Sequence, residues 1–260
     1  MSMDPGFVSL QLEQLIDLRL EALRQGNAKP RHVLDLSRMF RRMGCGTLLA
    51  GGDTRFFFQG LFFAADAYLQ LLERKERDPS LADPYDLARG RAEPLLDALA
   101  LGDAELVRRI DARALTQYRE GMEYEEDFWF FMLLPRLLDP SIGEPETREE
   151  LRQMHEALQG IVYPRYDAVV ALARGDREGF EAALEALIQA WASQFERDAE
   201  SERGNPYALA TEAEIFVEGL ALVRLARIRG MPTREEYRLI PAATLTAPPA
   251  EQLREPLWKD

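Results

Sequence analysis

Arg55-Phe56-Phe57-Phe58-Gln59-Gly60-Leu61-Phe62-Phe63-Ala64-Ala65-Asp66-Ala67-Tyr68-Leu69-Gln70-Leu71-Leu72-Glu73 is the stretch on which the fold turns. Almost everything in it is apolar except Arg55, Gln59, Asp66, Gln70 and Glu73. Wound at about 3.6 residues per turn, those five fall on one narrow line. A helix with so thin a polar line has neighbours on most of its sides, which places it at the centre of the fold. Gln59, Asp66 and Gln70 also keep it from reading as a membrane span. The other apolar run, Phe128 to Leu134, is far shorter than the about 20 residues a spanning helix requires.

The segments around it repeat the helical period. Asp176 can cap a helix whose apolar face is Phe180, Leu184, Leu187, Ile188, Trp191 and Phe195, one stripe on the helical period. Leu209 to Ile228 is broadly apolar and stops at Gly230-Met231-Pro232. The joints share a form. Leu99-Ala100-Leu101-Gly102-Asp103 recurs as Leu172-Ala173-Arg174-Gly175-Asp176, with looser versions at Leu23-Arg24-Gln25-Gly26-Asn27 and Leu49-Ala50-Gly51-Gly52-Asp53. Each sets a glycine after one helix and an Asp or Asn cap before the next, and such tight connections make antiparallel neighbours. The prediction is an all-α fold: one compact domain of antiparallel helix pairs, eight to ten helices over residues 1–240. A looser Pro-containing bridge falls at 139–145, and an irregular tail at 241–260 carries Pro241, Pro248, Pro249 and Pro256.

With 260 residues the chain can bury a sizeable core, and 47% apolar residues argue against global disorder. Met1-Ser2-Met3-Asp4-Pro5 lacks the basic start of a signal peptide. The single cysteine, Cys45, excludes an internal disulfide and a cysteine-based zinc site, and fits a reducing compartment. Two histidines, His32 and His155, leave the chain poor in the commonest metal ligand and acid–base catalyst.

Charge is unevenly spread. Between Glu120 and Glu150 lie ten acidic and two basic residues, a net −8 out of −13 for the chain. Such a field steers basic partners and repels nucleic acid and anionic membranes. Glu120, Glu123, Tyr124, Glu125, Glu126 and Asp127 run directly into Phe128-Trp129-Phe130-Phe131. A di-metal helical bundle would use Glu-x-x-His pairs, but Arg152 and Lys29 stand three before His155 and His32. Two readings of the acid cluster stand: a helix face that merely meets water, or a face turned to a partner. Phe128 and Phe131 share a helix face and read as core. Tyr124 and Trp129 sit at the edge of the buried zone beside the carboxylates, and Tyr and Trp are usual interface anchors. Pro135 should bend or end this helix.

Other features have plainer readings. Cys45 between Gly44 and Gly46 has no positioned base and reads as structural, although a flexible setting could expose it. Gly51-Gly52-Asp53-Thr54 lacks the Gly-Lys-Ser/Thr signature of a phosphate loop and reads as a helix cap. Arg38, Arg41 and Arg42 read as a charge complement to a helix C-terminus.

The ending Glu218, Leu220, Ala221, Leu222, Leu225, Ala226, Gly230, Glu236-Tyr237 and Ile240-Pro241 resembles that of the immunity protein 49 family of bacterial competition systems. The stretch from Ala64 to Tyr68-Leu69 after Gly52-Asp53, and the helix with Trp191, agree with it. The resemblance spans roughly 44 to 245 and implies an all-helical cytoplasmic inhibitor of a cognate toxin, with no enzymatic activity; the residues themselves lead us to expect no cofactor and no bound metal. The family shares no catalytic residues, so the expected docking residues rest on charge and exposure: Glu120, Glu123, Tyr124, Glu125, Glu126, Asp127 and Trp129. The expected partner is a basic toxin, most simply a nuclease; nucleic acid and membrane are not expected partners. The alternative is a helical-repeat scaffold that binds a peptide, supported by the recurring Gly-Asp joint. An enzyme would need acid–base groups clustered in a pocket, and the core-like segments hold few polar residues.

Overall fold

The computed structural model describes residues 3–25, 29–81, 83–201 and 204–246. Among them are twelve α-helices: α1 (Pro5–Arg24), α2 (Pro30–Leu49), α3 (Thr54–Arg77), α4 (Pro94–Leu101), α5 (Ala104–Asp111), α6 (Glu125–Arg136), α7 (Glu144–Leu158), α8 (Pro164–Arg174), α9 (Arg177–Glu200), α10 (Pro206–Ala210), α11 (Val217–Ile228) and α12 (Ala242–Thr246). No strand forms among the described residues, and one isolated antiparallel bridge joins Tyr237 to Ile240. The all-α expectation holds. The count exceeds eight to ten because α4, α5, α10 and α12 are only five to eight residues long.

The joints form as their residues dictate. Gly102 and Gly175 take φ of 73° and 68°, the left-handed region that favours glycine. Asp103 then accepts from Leu106 N at 3.0 Å, Asp176 from Gly179 N at 3.0 Å, and Asp53 from Arg55 N at 2.8 Å. Each satisfies an orphan donor of a first turn. Gly26 and Asn27 of the looser joint lie outside the described residues. The helices so joined are unequal, 8 and 8 residues around Gly102 but 11 and 24 around Gly175, so the recurring joint does not mark a uniform repeat.

Helix α3 is central, as its polar line requires. Phe57, Phe58, Leu61, Phe62, Tyr68, Leu69 and Leu72 are buried, while Gln59, Asp66, Gln70 and Glu73 remain partly exposed. Fully burying each such apolar side chain stabilises by about 1.5–3 kcal/mol. It packs against α2, α4 and α5, and α11 closes over α4, all eight residues of which are buried. The α2–α3 crossing is a backbone contact: a Cβ on Gly60 would lie 2.7 Å from Phe40 O and 3.0 Å from Gly44 Cα. Gly44 is therefore a packing glycine, and Cys45 beside it is fully buried, with burial pushing its thiol pKa up.

The arginine cluster corrects its sequence reading. Helix α2 runs on to Leu49, and Arg41 is buried in mid-helix. It makes a bidentate pair with buried Asp97 at 2.7 and 2.8 Å and donates to Glu93 O at 3.0 Å. Arg42 reaches Glu212 at 2.6 Å and Arg38 reaches Glu93 at 3.3 Å. The three arginines tie α2 to α4 and to the segment preceding α11. They serve the fold, and no helix terminus.

The apolar stretch from 209 to 228 is two helices. Residues 211–216 break it, and Trp191 Nε1 donates to Glu212 O at 2.9 Å across the break. Pro135 lies inside α6, which ends one residue later. Arg229, at the end of α11, donates to Leu137 O, Asp139 O, Ile142 O and Leu172 O at 2.8–3.1 Å, which pins the bridge 139–145. Helix α12 buries Thr244 and Leu245, so ordered packing continues past Ile240; the rest of the expected tail, 247–260, lies outside the described residues.

Candidate functional site

The loop before α6 and its first turn gather the acidic residues, but each spends its charge differently. Glu120 is exposed and Glu126 is half-buried, and neither makes a hydrogen bond or ion pair among the described residues. Tyr124 is 72% exposed at the N-cap position of α6. Glu125 accepts from Trp129 Nε1 at 3.3 Å one turn along, and Trp129 itself is half-buried against the core. Trp129 packs edge-on to Phe128, which is buried, as is Phe131.

Glu123 is turned inward. It is 9% exposed and accepts from Gly90 N at 2.5 Å and Arg119 N at 3.0 Å, bracing the loop against the turn Arg89–Arg91. Burial raises its carboxyl pKa above the usual range, and the two N–H donors oppose that. Asp127 is spent as well. It accepts from Tyr163 Oη and from Arg165 Nη1, the latter at 2.5 Å. Arg165 in turn makes a bidentate pair with buried Glu218 at 2.7 and 2.6 Å, and its guanidinium lies 4.9 Å from the Phe130 ring centroid. One arginine thus joins α6, α8 and α11.

Two features of this end of the molecule escaped the sequence reading. Tyr118 packs its ring 6.0 Å from Phe128, and its hydroxyl pKa is pushed up by desolvation and then by Glu125, Glu120, Glu123 and Glu126. All four glutamates disfavour the ionised form of this one hydroxyl. Ile161 and Val162 are 70% and 84% exposed in the turn before Tyr163, whose hydroxyl bonds Asp127. They follow directly on Gln159 and Gly160, which take φ of 49° and 83°. The surface presents negative charge beside exposed aromatic and aliphatic side chains.

A concave surface lies elsewhere. A groove of about 960 Å³ opens between the C-terminal half of α9, α10 and the turn 236–242. Phe195, Ala199, Pro206 and Leu209 supply apolar lining, and Glu196, Glu214, Glu236 and Arg238 ring it. The wall is held by Leu239, at φ 61° in a region that non-glycine residues rarely adopt, with its carbonyl accepting from Phe216 N at 2.7 Å. Tyr237 Oη donates to Glu181 at 2.8 Å, and Ile240 packs against Gly219, where a Cβ would come within 2.9 Å of it. Tyr237 and Ile240 of that ending thus form a structural clasp, and Glu218 is the partner of Arg165.

Among the described residues no group of three or more His, Cys, Asp or Glu side chains could hold a metal ion, and no helix is long and apolar enough to cross a membrane. A family model described as immunity protein 49 matches residues 18–244 of the chain. No curated protein and no solved structure matches it.

Proposed function

The chain belongs to the immunity protein 49 family, and on that premise we propose that it binds a cognate bacterial toxin and neutralises it by steric and electrostatic occlusion. The observation that carries the reading is the family match over residues 18–244. The docking face is the end of the molecule around α6. Glu120, Glu125 and Glu126 supply the charge, and Tyr124 and Trp129 supply desolvated anchoring. Glu123 and Asp127 act from behind, fixing the loop and the first turn. The toxin is basic, and a nuclease fits because its substrate groove must be positive to hold a phosphate backbone. The carboxylates then stand where phosphates would.

Magnitudes divide the labour. A nanomolar complex needs about 12 kcal/mol, commonly with about 1,600 Å² of total buried surface. Exposed ion pairs give about 0–1 kcal/mol each, so charge chiefly raises the association rate while packing sets the residence time. The protein acts in the cytoplasm of a cell exposed to toxin delivered by its neighbours, for example through type VI secretion, and performs no bond-making chemistry itself.

The test is protection. The chain is co-expressed with the toxin domain encoded beside its gene, and colony survival is counted with and without it. Survival restored by the chain, with the two proteins co-purifying, is the expected result. Unrelieved killing by a toxin that the chain does not bind would reject the reading.

A further inference from the structure

Resting on the reading that the chain docks a toxin polypeptide, we propose that the groove between α9, α10 and the turn 236–242 is a second docking site. It receives a cationic, apolar segment of the toxin. Its floor is apolar through Phe195, Pro206 and Leu209, so an occupant must bring apolar side chains to gain by displacing water. Its rim carries Glu196, Glu214 and Glu236. All three are exposed, and none of their carboxylates makes a hydrogen bond or ion pair among the described residues. Among the described residues the rim has one basic member, Arg238, which donates to Gln189 Oε1 at 3.4 Å. Three unpaired carboxylates around an apolar floor select a segment that alternates apolar and basic side chains, and disfavour an anion or an acidic membrane.

The wall is built before any occupant arrives. Leu239 is held in the left-handed region by the Phe216 N–H on its carbonyl and by the Tyr237–Ile240 bridge. A preformed wall lowers the ordering cost of binding. At about 960 Å³ the groove has the size of a site that buries several side chains. Ala199 lies exposed in the lining, so a large side chain there would fill the groove without entering the core.

A fluorescein-labelled peptide of leucine and lysine is titrated against the full chain, with a leucine–glutamate peptide as its counterpart. The expected result is saturable binding of the first only, weakened about tenfold by the combined Glu196→Gln, Glu214→Gln and Glu236→Gln variant. Ala199→Trp should abolish it, and Glu120→Gln with Glu126→Gln should leave it unchanged. Binding that ignores the groove variants, or no binding at all, overturns the proposal and leaves the survival test of toxin protection unaffected. A photo-crosslinker on Ala199→Cys identifies the occupant, since Cys45 is buried and will not compete for the label. Crosslinking to the added peptide supports the site. Crosslinking to residues 247–260 of the same chain, or to a second copy, overturns it.

Discussion

The loop and first turn of α6 and the groove beside α9 are both acidic, yet they spend their carboxylates in opposite ways. Of the five acidic residues from Glu120 to Asp127, Glu123 and Asp127 are consumed by the fold, one on backbone N–H groups and one on Arg165. In the groove, Glu196, Glu214 and Glu236 come from three separate segments and all three stay unpaired among the described residues. Density of charge along a sequence therefore does not measure the charge a surface offers. A dense cluster must be partly neutralised to pack at all, whereas carboxylates set apart on a groove rim need no partner.

The comparison can be broken most severely at Arg165. Arg165→Ala leaves buried Glu218 without its cation and removes the tie between α6, α8 and α11, and should cost about 3 kcal/mol of stability in urea unfolding. If the loss is no larger than that of a surface variant, Asp127 and Glu218 are not spent charges. Glu123→Ala comes next. It strands the N–H groups of Gly90 and Arg119 and should cost about 1–3 kcal/mol, read by the same unfolding curves.

Glu123 also gives a pH signature. Its carboxyl pKa is raised in the folded chain by burial, so the folded state binds the proton more tightly than the unfolded one. Its contribution is therefore largest at and below the ordinary glutamate range and is lost as pH rises through the folded value. Measured against Glu123→Gln, the native chain should gain relative stability as pH falls towards the ordinary glutamate pKa; a gap that shrinks instead would reverse the assignment. The smallest stability effect belongs to Glu120→Gln with Glu126→Gln, within about 0.5 kcal/mol. A cost above that would mean these two also hold the fold together.

Much of this architecture was legible in the residues. The polar line of α3, the Asp caps and the Gly-Asp joints each act through neighbours a few residues away, so local chemistry determines them. Short α10 and α12 were not legible, because five residues give too little period to read. The ionic ties were hidden for a different reason: Arg42 meets Glu212 across 170 residues, and Arg229 meets Leu137 O across 92. The proposed docking face could be found as a charge cluster. Which of its members face water could not, since burial of Glu123 depends on a glycine 33 residues earlier. Tyr118 and the pair Ile161–Val162 gave no signal beyond a lone aromatic and two aliphatics.

The most direct measurement is the rate at which the toxin domain associates with the chain in stopped flow, at low and at physiological salt. The native protein is compared with the combined Glu120→Gln, Glu125→Gln and Glu126→Gln variant. Slower association with a flatter salt dependence and intact stability is the predicted result. An association rate and salt slope equal to those of the native chain would contradict the claim that this acidic face meets the toxin.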